Sequence, residues 1–405
     1  MIGIRFQPPQ VALSAKVRWV LVRGFGPPDR LFPETVDGAG AAALSRTLDL
    51  APRIGARVPR DRLEAELGVV AARTVVSTYG VARLSWDALA LLARAACAAA
   101  GEVGTPVVFL KGTALVLTGA SLPGSRWAAD VDVLVPEKHL DPLAAALRAK
   151  GFVSVGGLPE CEHQLPPLQS PEGGTLELHR FLPGVRLPDE HGFATADALV
   201  AQGRLRPLDG LPGALVPDPV VLSAHALVHG IAQHGFAPGS YPLMRMLADL
   251  VDLGWGGGEG PRLEREALAL TRRHVTEDEA TAARVLCAML EQGEGVPAVL
   301  EGAAAPPLRL LAHVVAGALE PRYREALKLR VFGSGPSLLP RPLAFVRDVA
   351  RSLWPSRARL EALAGRHGSG FDGVVLRLER PFALAWRALR ALRSAAALGG
   401  RSRTR

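Results

Sequence analysis

Two acids two residues apart inside an apolar run, Asp130 and Asp132 in Asp130-Val131-Asp132-Val133-Leu134-Val135, are the side chains of this sequence best placed to do chemistry. In a strand, alternate residues point to the same face, so the two carboxylates share one side while Val131 and Val133 share the other. Carboxylates that close repel each other, and an apolar setting makes their charge costlier still. A divalent cation removes the conflict. Oxygen-only ligands favour Mg²⁺ or Mn²⁺, and Mg²⁺ commonly sits between one or two carboxylates and substrate phosphates. The plain alternative is a strand end carrying two solvated acids.

The neighbouring residues favour the chemical reading. Val107-Val108-Phe109-Leu110 reads as a short buried strand, and Lys111-Gly112-Thr113 opens a helix over 114–118. A strand feeding a helix N-terminus presents backbone N–H groups and a positive dipole end, which suits phosphate. Gly112 lets the backbone come close, and Lys111 is one of only five lysines beside 42 arginines. Arg126, four residues before Asp130, is placed to reach an anionic group. A third acid follows in Thr175-Leu176-Glu177-Leu178-His179, where alternation puts Glu177 and His179 on one face. Together with 164–169 and the turn 170–174 this predicts a hairpin. From such a strand Glu177 can serve as third metal ligand or as base toward an acceptor hydroxyl.

In this order the residues resemble the uncharacterised nucleotidyltransferase family of the polymerase-β-type superfamily. The shared pattern is an apolar strand, Lys111-Gly112, a helix, Arg126, Asp130-Val131-Asp132, the helix 140–150, and Glu177-Leu178-His179. More loosely it continues to His225, His229, Arg245 and Asp249. Two departures from the wider superfamily stand out: its usual Gly-Ser is Lys-Gly-Thr here, and the stretch before the first Asp is long. The resemblance implies an α+β fold, a polymerase-β-like core with a small mixed sheet flanked by helical domains. It implies transfer of a nucleoside monophosphate from an NTP to a hydroxyl acceptor, with Mg²⁺ (or Mn²⁺) as cofactor. Asp130, Asp132 and Glu177 would be catalytic and metal-binding; Lys111, Gly112, Thr113 and Arg126 would bind the nucleotide. A small-molecule or peptide acceptor is favoured and an RNA end is the further option. A nucleotide-binding or adaptor protein with little turnover is the alternative from a different class, because a fold alone does not establish chemistry.

A chain of 405 residues with 48% hydrophobic content can bury a large core in two or three domains. Cys97, Cys161 and Cys287 are far apart and show no ligand spacing, which fits a reducing compartment. The first residues lack the apolar core of a signal peptide, and no transmembrane segment is expected, so the cytoplasm is the expected location. The expected organisation is an irregular extension over 1–55, a helical segment over 56–104, the nucleotidyltransferase core over 105–215, a helical domain over 216–330, and a helical region with a basic tail over 331–405. Leu89, Leu91 and Leu92 mark an apolar stripe on the first helical segment.

His225 and His229 share a helix face at a spacing that could bind zinc, but packed or hydrogen-bonded histidines are favoured because no further ligand is evident. Arg245 and Asp249, also four apart, are expected to form a plain helix ion pair, the sharper reading being an acid that faces the cleft. From 376 to 405 eight arginines stand against Glu379 alone. That basic segment could meet nucleic acid, anionic lipid or an acidic partner, or be a solvated helix with a loose end.

Overall fold

The computed structural model describes residues 11–155, 163–188, 190, 192–233, 243–271, 274–293 and 299–300. The region expected over 331–405 with its Arg-rich tail, Cys161 and most of the segment after His229 lie outside these.

The described part of the extension expected to be irregular over 1–55 is ordered into a strand, β1 (Val11–Ala12), and three helices: α1 (Ala15–Phe25), α2 (Gly38–Thr47) and α3 (Ala51–Arg57). Their Pro and Gly residues punctuate helix ends instead of preventing helices. Asp37 caps α2 by accepting from the Gly40 N–H, and Pro52 sits in the first turn of α3, where its missing N–H costs nothing. Then come α4 (Arg60–Leu67) and the long α5 (Val69–Glu102). Leu89 and Leu92 lie on the buried stripe of α5 with Ala93 and Ala96, but Leu91 is 52% exposed. By length and composition α5 could cross a membrane; 44% of its most apolar window is buried within the fold. Its first half packs among the N-terminal helices and its second half on the sheet.

The core follows: β2 (Val107–Phe109), α6 (Lys111–Leu117), β3 (Asp130–Leu134), α7 (Glu137–Ala149), β4 (Val153–Ser154), β5 (Leu168–Gln169), β6 (Thr175–His179), α8 (Ala196–Ala201), β7 (Leu205–Pro207) and β8 (Ala214–Pro217). These seven strands form one mixed sheet in the order β4-β5-β6-β3-β2-β8-β7. The expected hairpin is present as antiparallel β5 and β6. In the centre β3 runs antiparallel to β2 and parallel to β6, with Asp132 opposite Glu177 and Leu134 opposite His179. The helices α9 (Pro219–Leu227), α10 (Leu243–Asp252), α11 (Gly260–Thr271) and α12 (Glu277–Gln292) complete the described fold. A π-helical turn, Val228–Gln233, extends α9, and a two-residue strand, β9 (Val299–Leu300), pairs with β1.

Strand alternation divides this α+β fold into layers. Val107, Phe109, Val131, Val133, Leu176 and Leu178 face α5 and α7 in one core. Val108, Leu110 and Leu134 face the other way, into a core built from α1–α4 and α9–α12. Asp130, Asp132, Glu177 and His179 belong by alternation to this second face, between the sheet and the helical layer. The outer helices are tied across the chain by ions. Arg53 on α3 donates through both terminal nitrogens to Asp252 on α10, at 2.9 and 2.7 Å, and through Nε to the Gly24 carbonyl at 2.7 Å. Ser121 donates to the same carboxylate. Removing one partner of a buried pair strands the other's charge. We expect Asp252→Ala to cost about 3–5 kcal/mol in urea unfolding, and Arg60→Ala, which breaks an exposed pair with Glu64, to cost less than about 1 kcal/mol.

Candidate active site

β2, α6, β3 and β6 bring the expected residues together. The Leu110 N–H donates to the Asp132 carbonyl at 3.0 Å, ending the β2–β3 ladder, and the chain turns at once into α6. That turn passes through Lys111 at φ +50°, in the left-handed region that side chains with a Cβ avoid. Among the described residues only Asp49, at φ +60°, shares this state without being glycine. Such conformations persist where surrounding contacts hold them, and they cluster at functional sites.

Lys111 Nζ donates to Asp132 Oδ1 at 2.6 Å. The same oxygen lies 2.9 Å from His179 Nε2, which in turn is 3.6 Å from Glu177 Oε2. Burial disfavours the Asp132 anion, but the Lys111 charge and the His179 hydrogen bond outweigh it and hold this carboxyl well below the usual carboxylate range. Burial likewise opposes a charged His179, yet its hydrogen bond to Asp132 and the nearby Glu177 carboxylate raise its pKa. Asp130 differs. Burial and then the Asp132 charge push its pKa up, and it makes no hydrogen bond among the described residues. Three carboxylates thus face Lys111 and His179, with the Arg126 charge a weaker influence on Asp130.

Asp132, Glu177 and His179 each offer a ligand atom within 4.8 Å of the others, an arrangement able to hold a metal ion. A cation there would also offset the burial and the Asp132 repulsion that push Asp130 up, which Lys111 and Arg126 counter only in part. In the sequence His179 stands out by alternating with Glu177 and as the last residue of the family pattern, with no role of its own; its bond to Asp132 makes it part of the site.

Arg126 lies against Gly112. A Cβ on that glycine would meet the guanidinium at 2.2–2.8 Å, so the absence of a side chain there makes room for the arginine. Arg126 Nη1 donates to Asp249 Oδ2 at 3.1 Å. Arg245, expected to pair with Asp249 along α10, reaches Asp49 through Nε at 2.6 Å. Burial pushes the Asp49 carboxyl up against the pull of Arg245, with Arg126 a weaker influence. α10 therefore meets other parts of the chain with both charges, Asp249 pairing with Arg126 and Arg245 with Asp49, 196 residues away. Thr113 is buried in the first turn of α6.

Behind Lys111 a cavity of about 20 Å³ is lined by His225, His229, Asp249, Leu115 and Leu222. His225 is fully enclosed, and burial, followed by the positive charge of Lys111, lowers its pKa to about 3. It is a neutral packed histidine. The His225 and His229 rings stand 6.1 Å apart, edge to face, and the metal-capable cluster found among the described residues is the acidic one.

Residues 35–255 match the uncharacterised nucleotidyltransferase family. The match covers more than half of the chain, which therefore belongs to that family and is a nucleotidyltransferase. The chain is also similar to a solved antibiotic-resistance factor, ANT(2'')-Ia, at 16% identity, over 44% of this chain and 89% of that one, with a TM-score of 0.33. No curated protein matches the sequence.

Two outcomes follow from the site's electrostatics. Asp130→Asn and Asp132→Asn should change apo stability in opposite directions at pH 7. The first relieves repulsion and gains up to about 1 kcal/mol, whereas the second strips Lys111 and His179 of their partner and loses roughly 1–3 kcal/mol. Denaturant melts of the two variants check this, and equal shifts would contradict it. For His225 the folded pKa is lowered to about 3 from 6.5. Between those values the unfolded chain binds the extra proton and the folded one does not, so stability is full above pH 6.5 and falls as pH drops toward 3. Relative to His225→Gln, the wild type should lose up to about 1.4 kcal/mol per pH unit below 6.5, read from urea midpoints at pH 7.5, 6 and 5.

Proposed function

We propose that this nucleotidyltransferase transfers a nucleoside monophosphate from an NTP to a hydroxyl acceptor in a reaction that depends on Mg²⁺ or Mn²⁺. The observation that carries the reading is the carboxylate set on one sheet face, Asp130 and Asp132 on β3 with Glu177 opposite on β6, beside Lys111 at the start of α6. Asp130, Asp132 and Glu177 would hold the ion, and His179 supports Asp132 from the second side. When bound, the ion supplies charge neutralisation and polarises phosphate oxygen. Carboxylate oxygens on rigid strands suit a hard cation.

In the reaction, the acceptor oxygen forms a bond to the α-phosphorus while the bond from that phosphorus to the β-phosphate bridging oxygen breaks. Pyrophosphate leaves with the electron pair, and the hydroxyl proton passes to Glu177 or to water. Lys111 and Arg126 offset charge growing on the leaving group, and the main chain at Gly112 and Thr113 offers donors to phosphate. Lys111 would exchange its contact with Asp132 for one with phosphate. Positioning and electrostatics then account for most of the catalysis, and few residues are needed.

A small molecule or peptide is our preferred acceptor over an RNA end. Cys97 and Cys287 are free thiols, half-buried and buried, which supports a reducing, cytoplasmic setting. The test is pyrophosphate release from each of the four NTPs, with and without dialysed cell extract. Release should require Mg²⁺ or Mn²⁺ and drop at least a hundredfold in Asp130→Asn. Release that persists in EDTA, or an Asp130→Asn variant as active as wild type, would overturn the proposal.

A further inference from the structure

Beside the N-terminal end of β3 lies a cleft of about 720 Å³, within the size range of small-molecule sites. One wall is α2 with Ala43, Arg46 and Thr47, the other is α5 with Ser77, Thr78 and Val81, and Trp127 of the loop before β3 joins the lining of this open cleft. The walls are fixed parts of the fold. The Trp127 loop is fastened to α5, where Ser85 Oγ donates to the Ala128 carbonyl at 2.9 Å. Gly124, at φ +77°, lies so close to the Arg83 main chain that a Cβ would meet it at 2.7 Å. Arg46 and Thr47 precede Asp49, which grips Arg245 of α10.

Two of the lining segments continue toward site residues: α2 runs on to Asp49, whose carboxyl feels the Arg126 charge, and Trp127 is bonded to Arg126. Trp127 follows Arg126 and precedes Asp130 by three residues, so its Cα lies at most about 11 Å from that of Asp130. A ligand seated on Trp127 spans that distance with one or two ring-sized units.

The lining chemistry defines the ligand. Thr47 donates its hydroxyl hydrogen to the Ala43 carbonyl at 3.0 Å, Ser77 to Arg73 at 2.6 Å and Thr78 to Thr74 at 2.7 Å. With their hydrogens committed, these hydroxyls offer lone pairs only, and the ligand must bring donors. Arg46 offers donors of its own, makes no ion pair among the described residues, and disfavours a polycation. Trp127, half-buried, adds an aromatic face for an apolar ring surface. Hydroxyl donors, ring and hydroxyl oxygens to accept from Arg46, and a flat C–H face occur together in a sugar ring.

We propose that this cleft binds the acceptor and that the acceptor is an uncharged or anionic saccharide or glycoside, one of whose hydroxyls receives the nucleotidyl group. The inference rests on the nucleotidyl-transfer reading and names its substrate class. The bond made is the one given above, with a saccharide oxygen on the α-phosphorus and pyrophosphate leaving.

Saturation-transfer NMR tests the cleft with full-length protein and a mixture of methyl glycosides, maltose, N-acetylglucosamine and glucuronic acid; Mn²⁺-dependent binding of labelled ATP, GTP, CTP and UTP is measured in parallel. At least one saccharide should show transfer, which Trp127→Ala reduces at least tenfold in affinity. Ala43→Trp, which fills the cleft from an exposed helix position and leaves Trp127 in place, should do the same. Both variants should bind Mn²⁺·NTP as wild type does. Absence of saccharide binding to a protein that binds Mn²⁺·NTP overturns the cleft proposal alone, as does saccharide binding unchanged in both variants or binding of an unstructured hydroxyl-bearing peptide in the saccharides' place. Saccharide binding sensitive to Trp127 without any Mn²⁺·NTP binding keeps the cleft and removes the nucleotidyl-transfer reading.

Discussion

The contact on which this structure depends is the one between Asp132 and its two cations-in-waiting, Lys111 and His179. A carboxylate enclosed between a sheet and a helical layer is tolerable only with partners. Those partners come from two different neighbours of β3: Lys111 from the end of β2 and His179 from the parallel partner β6. The pairing ties three central strands to one charge. It also accounts for the unusual backbone of Lys111, whose left-handed φ places its ammonium on the acid instead of letting α6 start in the ordinary way.

The charges around this centre are graded. Asp132 is held ionised by contacts, whereas Asp130, two residues earlier on the same face, is left with an elevated pKa and the repulsion of its neighbour. A site arranged this way keeps a repulsion at Asp130 that a cation would relieve. Had Asp130 been paired as fully as Asp132, an incoming ion would have to displace two partners instead of one.

Around the acids, long-range ion pairs make the helical layer part of the site. Asp49, Arg245, Arg126 and Asp249 link the N-terminal helices, α10 and the loop before β3, while Arg53 and Asp252 repeat the theme further out. The segment before residue 57 thus contributes an anchor for α10 and one wall of the cleft beside Trp127. Because these pairs are at least half-buried, their geometry constrains where the helices sit more firmly than surface pairs would.

The sequence by itself determined the strand bearing Asp130 and Asp132, the alternation that puts Glu177 beside His179, and the short helix after Lys111, because periodicity and adjacency are local properties that survive in a one-dimensional string. From those residues the family was legible. Helix α5 was legible too, although Leu91 was assigned to its buried side: adjacent leucines leave the edge of an apolar stripe undefined, and only the packed neighbours settle it. The Pro- and Gly-bearing N-terminal segment read as irregular because those residues at helix ends look the same in sequence as they do in loops. The tertiary structure alone decided that Arg245 pairs with Asp49 and not along its own helix, that Lys111 rests on Asp132, and that α2, α5 and Trp127 line a cleft. Each joins residues tens to hundreds of positions apart, and nothing in local spacing encodes which of 42 arginines meets which acid; only the shared burial of helices and sheet brings them within reach.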